Sequence, residues 1–134
     1  MIRPGRTRFK FSRASRLIRA SEFRLVKASG KSWTGKHIVL AILNREEQAA
    51  TRIGIITTKR IGNAVCRNRV RRRIREIFRL NQHRLRNGFW VVVIARASST
   101  RATLAELERD WLRLIERASI LAPASDGSHS ADLA

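Results

Sequence analysis

The sequence predicts an α+β fold, a two-layer sandwich in which helices pack on a central mixed sheet in the order αβββαβα. Three observations predict it. Apolar residues recur at helical spacing in two segments, Cys66, Val70, Ile74, Ile77 and Phe78 in one, Leu104, Leu107, Trp111, Leu114, Ile115 and Ala118 in the other. Two runs rich in β-branched residues, HIVLAIL (37–43) and RIGIITT (52–58), flank the polar stretch NREEQAA. The run FWVVVIA (89–95) is apolar without alternation, as a central strand covered on both faces would be.

The elements follow in order. Residues 1–15 are rich in Arg and Ser and lack acids, and are expected to form a basic arm; Pro4 and Gly5 break a helix too early for an organelle transit peptide. Ser21 is the expected N-cap of a helix carrying Phe23 and Val26, and Gly30 its expected C-cap. A brief strand at Lys31 to Thr34 precedes HIVLAIL and RIGIITT, which are expected to pair antiparallel across their turn. A helix capped by Asn63 then leads to the strand Phe89 to Ala95, completing a split βαβ unit. The last helix opens on a capping box, Thr103 with Glu106. Beyond Ala118 the chain turns to Pro, Ser, Gly and Asp, so one domain is expected over 16–118 and a flexible tail over 119–134.

Charge is the dominant compositional signal. The chain of 134 residues carries a net charge of +19, and 24 of its 29 basic residues are Arg. Such a chain folds against its own repulsion unless a polyanion is its usual neighbour. The planar guanidinium meets phosphate oxygens in pairs and stacks on bases, which makes nucleic acid the leading partner. Nine basic residues and one acid, Glu76, fall in KRIGNAVCRNRVRRRIREIFR (59–79). Arg69, Arg71, Arg72, Arg73, Arg75 and Arg79 take the arc left free by the apolar stripe, with Arg67 near its edge, so the charges form a ridge on a helix that the core holds. The free N–H groups near Asn63 also suit a phosphate.

Residues for protein-borne catalysis are missing from the pattern. Glu46 and Glu47 share a turn; Glu106, Glu108, Asp110 and Glu116 read as surface, cap or dipole charges on the last helix. His37, His83 and His129 have no ligand spacing to one another or to Cys66, and no phosphate-cradling glycine motif occurs. The lone Cys66 excludes an internal disulfide and fits a reducing compartment. With no apolar run near the roughly 20 residues that a bilayer requires, the expected location is cytoplasmic, with no membrane partner. Composition alone fits a ribosomal protein or RNA chaperone as well.

The motif narrows the choice. GNAVCRNRVRRRIRE, with its central RNR at Arg67, Asn68 and Arg69, closely resembles the signature of the bacterial ribonuclease P protein component. The likeness runs from about Arg16 to Ala118 through SEFRLVKASGKSWTGKHIVL, RIGIITTKR and NQHRLRNGFWVVVIARASSTRATLAELERDWLRLIERA. The resemblance implies an accessory subunit of an endoribonuclease that removes the 5′ leader of precursor tRNA in tRNA 5′-end maturation. In that family the RNA subunit catalyses with Mg²⁺, which RNA and substrate mainly hold; no cofactor and no catalytic residue is implied here. The implied partners are the ribonuclease P RNA and precursor tRNA. Matched by position, Lys59, Arg60, Asn63, Arg67, Asn68, Arg69, Arg71, Arg72 and Arg75 carry the RNA contacts, while Phe23, Lys27, Val39 and Ala41 line a leader cleft. The resemblance also implies a left-handed βαβ crossover, against the usual right-handed rule. Family members often have an aromatic where Lys27 stands, and some have one at Ala41; this chain has no Tyr, leaving Phe9, Phe11 and Trp33 as candidate substitutes.

Overall fold

The computed structural model describes residues 16–17, 19–45 and 50–119. Its main elements are α1 (Ala20–Ser29), β1 (Lys31–Thr34), β2 (Ile38–Asn44), β3 (Arg52–Ile56), α2 (Ala64–Asn81), β4 (Phe89–Ala95) and α3 (Leu104–Arg117). The mixed sheet has the order β1-β2-β4-β3, with β2 antiparallel to both neighbours and β3 parallel to β4. The expected pairing of β2 with β3 is therefore corrected: β4 lies between them. The reason is burial. Val91, Val92 and Val93 are each 0% exposed, which an edge position would not allow. The βαβ unit of β3, α2 and β4 consequently has adjacent strands and is not split; what β4 splits is the β2–β3 pair.

Strand alternation divides the core between the two faces of the sheet. On one, Leu40, Ile42, Val91 and Val93 meet Val70, Ile74 and Phe78 of α2 and Leu107, Trp111 and Leu114 of α3. On the other, Ala41 and Val92 meet Val26 of α1 and Leu17. So α2 and α3 share the main core, and α1 covers the opposite face. The edge of β3 is partly closed by a parallel bridge to Arg16, with the Leu17 N–H donating to Ile53 O at 2.8 Å.

Magnitudes explain why a helix of like charges forms at all. Each fully buried side chain among Val70, Ile74, Ile77 and Phe78 contributes about 1.5–3 kcal/mol. Each like-charge pair one turn apart, such as Arg71 and Arg75, opposes the helix by only about 0.2–0.5 kcal/mol. Packing wins. Asn63 caps the helix as expected, its Oδ1 accepting the Cys66 N–H at 2.9 Å. The Thr103–Glu106 capping box also forms, at 3.1 and 2.9 Å.

Two local expectations are corrected. Helix α1 starts after Arg19 rather than at Ser21, because Glu22 Oε1 accepts the Arg19 N–H at 3.0 Å and supplies the cap. Gly30 ends it as expected, yet with an extended φ of −85°; glycine is required because a Cβ would stand 2.5 Å from Ile42 O. Asp110, read as a surface charge, is 1% exposed. Its carboxylate accepts the backbone N–H groups of Lys36 (3.1 Å), His37 (2.8 Å) and Ile38 (3.2 Å), and Arg113 Nη2 at 3.0 Å. It pins the β1–β2 turn onto α3. Gly35 leaves it room: a Cβ there would lie 2.7 Å from both carboxylate oxygens.

Candidate nucleic-acid interface

The approach to α2 is built from a short turn, Lys59–Ile61, whose Thr58 Oγ1 accepts the Arg60 N–H at 3.3 Å. Gly62 follows at φ +136°, a conformation that a side chain strains, and its carbonyl accepts Arg67 Nη1 at 2.8 Å. This turn sets Lys59, Arg60 and the α2 N-terminus side by side. Lys59 and Arg60 border a groove of about 680 Å³ with Ile94 and Arg96, at the C-terminal ends of the parallel strands β3 and β4. Arg96 was not singled out in the sequence; its place directly after the central strand is the signal that could have found it.

The ridge sorts itself by how each guanidinium is held. Asn63, Asn68, Arg69, Arg72 and Arg75 are exposed, as are Lys59 and Arg60. Arg67 and Arg71 are half-buried, Arg71 fixed by Thr57 Oγ1 at 2.7 Å. Arg73 and Arg79 serve the fold: Arg73 donates to Ala102 O at 2.6 Å, and Arg79 grips Glu76 at 3.0 and 2.7 Å. Desolvation, then the positive charges of Arg16 and Arg71, lower the Arg75 pKa below its ordinary value. Positive charge is crowded here, and an anion laid on the ridge relieves that crowding.

On the opposite face, register places three rows across β2, β4 and β3: Val39–Ile94–Ile56, Ala41–Val92–Gly54 and Leu43–Trp90–Arg52. Helix α1 lies over the middle row. Phe23 packs on Gly54, where no Cβ could fit beneath the ring. Glu22 reaches the third row, pairing with Arg52 Nη1 at 3.0 Å. Lys27 is exposed, about 140° further round the helix from Glu22. In the first row Val39, Ile94 and Ile56 form a half-open apolar strip, and Phe23 packs in the same cluster as Ile94 and Ile56. Ala41, in the middle row, is 4% exposed beneath the helix, so it is a floor and not an open wall. Trp33 packs with the main core, opposite Leu40 and on the far side of the sheet, so it cannot replace a cleft aromatic. Phe9 and Phe11 lie outside the described residues. The ridge and the strip meet at the β3 edge, where Arg16, Phe23, Ile55, Arg71 and Arg75 line a shared groove.

Four of the described carboxylates are engaged elsewhere. Glu22 binds Arg52, Glu76 binds Arg79, Glu108 Oε2 accepts from Asn81 at 2.9 Å, and Asp110 is committed to backbone. Among the described residues no three His, Cys, Asp or Glu side chains gather as metal ligands. Glu46, Glu47 and His129 lie outside the described residues. His37 is buried, its Nδ1 2.9 Å from Ser98 Oγ. No described helix is long and apolar enough to cross a membrane.

Comparison with known proteins agrees with this geometry. The family profile named Ribonuclease P matches residues 11–119. The ribonuclease P protein component of Clostridioides difficile is 39% identical over 111 residues, spanning 82% of this chain and 96% of that protein. That of Symbiobacterium thermophilum is 37% identical over 81% of this chain and 95% of its own. Among solved structures, the Staphylococcus aureus RNase P protein superposes with a TM-score of 0.75 at 26% identity, covering 82% of this chain and all of that one. The Thermotoga maritima RNase P protein superposes with 0.70 at 30% identity over 76% and 96%. The chain belongs to the ribonuclease P protein family.

Proposed function

We propose that this chain binds the catalytic RNA of ribonuclease P through the α2 ridge and the 5′ leader of precursor tRNA through the strip beside α1, assisting Mg²⁺-dependent removal of the leader. One observation carries the reading: the groove at the β3 edge is lined at once by ridge arginines, Arg71 and Arg75, and by Phe23 of the strip. Two RNAs held on opposite faces can approach each other there, because the cations between them replace their condensed counterions. In this reading the RNA and substrate hold Mg²⁺, and the chain supplies charge and position.

The residues divide accordingly. Lys59, Arg60, Asn63, Arg67, Asn68, Arg69, Arg71, Arg72 and Arg75 meet phosphates and base edges. Phe23, Lys27 and Val39 take the leader, with Ala41 as their floor. With one aromatic in that strip, leader affinity depends more on the charge of Lys27 than on stacking. The test replaces Arg67 and Arg69 by Ala and measures precursor cleavage at low Mg²⁺ with ribonuclease P RNA present. Cleavage at limiting protein falls sharply if the ridge binds the RNA; unchanged cleavage rejects the assignment.

A further inference from the structure

The third row of the α1 face carries a feature that the leader strip does not use. Strand alternation turns Trp90 away from the main core and toward this face, where it is half-buried. The Arg45 guanidinium carbon stands 4.4 Å from the Trp90 ring centroid and that of Arg52 stands 5.4 Å away. Arg52 is fixed, donating to Arg16 O at 3.1 and 2.7 Å and to Glu22 at 3.0 Å. Among the described residues, the Arg45 guanidinium makes no hydrogen bond or ion pair and is engaged by its stacking on the Trp90 ring. A groove of about 560 Å³ adjoins it, lined by Asn44, Arg45, Arg86, Asn87, Gly88 and Phe89. Amide and guanidinium donors surround that groove, and no described acid lines it.

We propose that Trp90 is a second stacking subsite for the precursor leader, taking a base farther from the cleavage point than those in the strip beside α1, with Arg45 on its phosphate. An aromatic face flanked by cations and opening on polar donors is how single strands are held without sequence preference. The leader is the occupant because Trp90 shares the sheet face of Val39, four residues and about 13 Å along the strand, whereas the α2 ridge borders the other face. Arg45 is the group that moves: a base takes its place on the ring while its charge stays beside the strand.

The inference rests on the leader reading, and the experiment separates the two. Precursor tRNAs with a leader just filling the strip and with a longer leader are bound to the assembled holoenzyme. Trp90→Leu weakens binding of the long-leader precursor about tenfold and leaves the short one unaffected, while Trp90→Phe restores most of the loss. In parallel, an unstructured uridine oligonucleotide quenches tryptophan emission of the free protein. The quench disappears in Trp90→Phe, because Trp111 is 1% exposed and Trp33 packs on the far face. Equal losses on both precursors, or none, overturn the subsite. A wild-type complex indifferent to leader length overturns the leader reading, while the oligonucleotide quench still reports whether Trp90 stacks.

Discussion

Asp110 shows how a single carboxylate can decide local structure. Burial alone raises its pKa, but hydrogen bonds from the N–H groups of His37, Lys36 and Ile38, and from Arg113, outweigh burial and hold it below the usual carboxylate range. Its folded pKa is depressed, so its stabilisation is complete above the unfolded value of about 3.9 and is lost as pH falls through the lower folded value. Asp110→Ala orphans three backbone donors, two of them buried, and should cost about 3 kcal/mol in urea unfolding at neutral pH. Asp110→Asn should lose less and show a flatter decline of stability below pH ~4 than the parent. The residue was legible in part, since it lies on the helical face of Leu107, Trp111 and Leu114. Charge suggested solvent, but three orphan N–H groups in the β1–β2 turn made the interior the better place. The place of Trp33 was left open by the sequence for a related reason, because nothing local says which face of a short edge strand is turned inward.

Among the elements, those with strong periodicity were read correctly from the sequence, and the pairings between them were not. The capped helices α2 and α3 and the strand β4 carry their own signals in Asn63, Thr103 with Glu106, and an unbroken apolar run. Strand order depends on contacts distant in sequence, so a local turn between β2 and β3 suggested a hairpin that burial of β4 forbids. The cap of α2 yields a test that separates folding from binding. Asn63→Asp keeps an oxygen on the Cys66 N–H and suits the helix dipole, so the unfolding midpoint should hold or rise slightly. RNA affinity should fall, since a negative charge now faces the phosphate. Asn63→Ala should cost about 1 kcal/mol of stability. The docking of α1 is tested by Gly54→Ala, which lifts the Phe23 ring off the sheet; it should cost about 1–3 kcal/mol and weaken leader binding with the ridge intact.

For the whole molecule, one quantity acts in two directions. The net charge of +19 repels itself in the free chain, so added salt should raise its unfolding midpoint. Salt should weaken RNA binding, by about 0.7 log unit per log unit of salt for each single-strand phosphate contacted. Arg67→Ala with Arg69→Ala should therefore flatten that slope by about one to two units. The basic ridge was legible from nine cations within residues 59–79, seven of them on α2; the groove joining ridge and strip was not, because Arg16, Phe23, Ile55, Arg71 and Arg75 come from four parts of the chain. The central claim is that this cationic scaffold serves a catalyst made of RNA. Precursor tRNA cleavage, measured across a Mg²⁺ titration with protein alone, RNA alone and both, tests it most directly. The account predicts no cleavage by the protein alone, and cleavage by the mixture at Mg²⁺ concentrations where the RNA alone is idle; leader removal by the purified protein without RNA would contradict it.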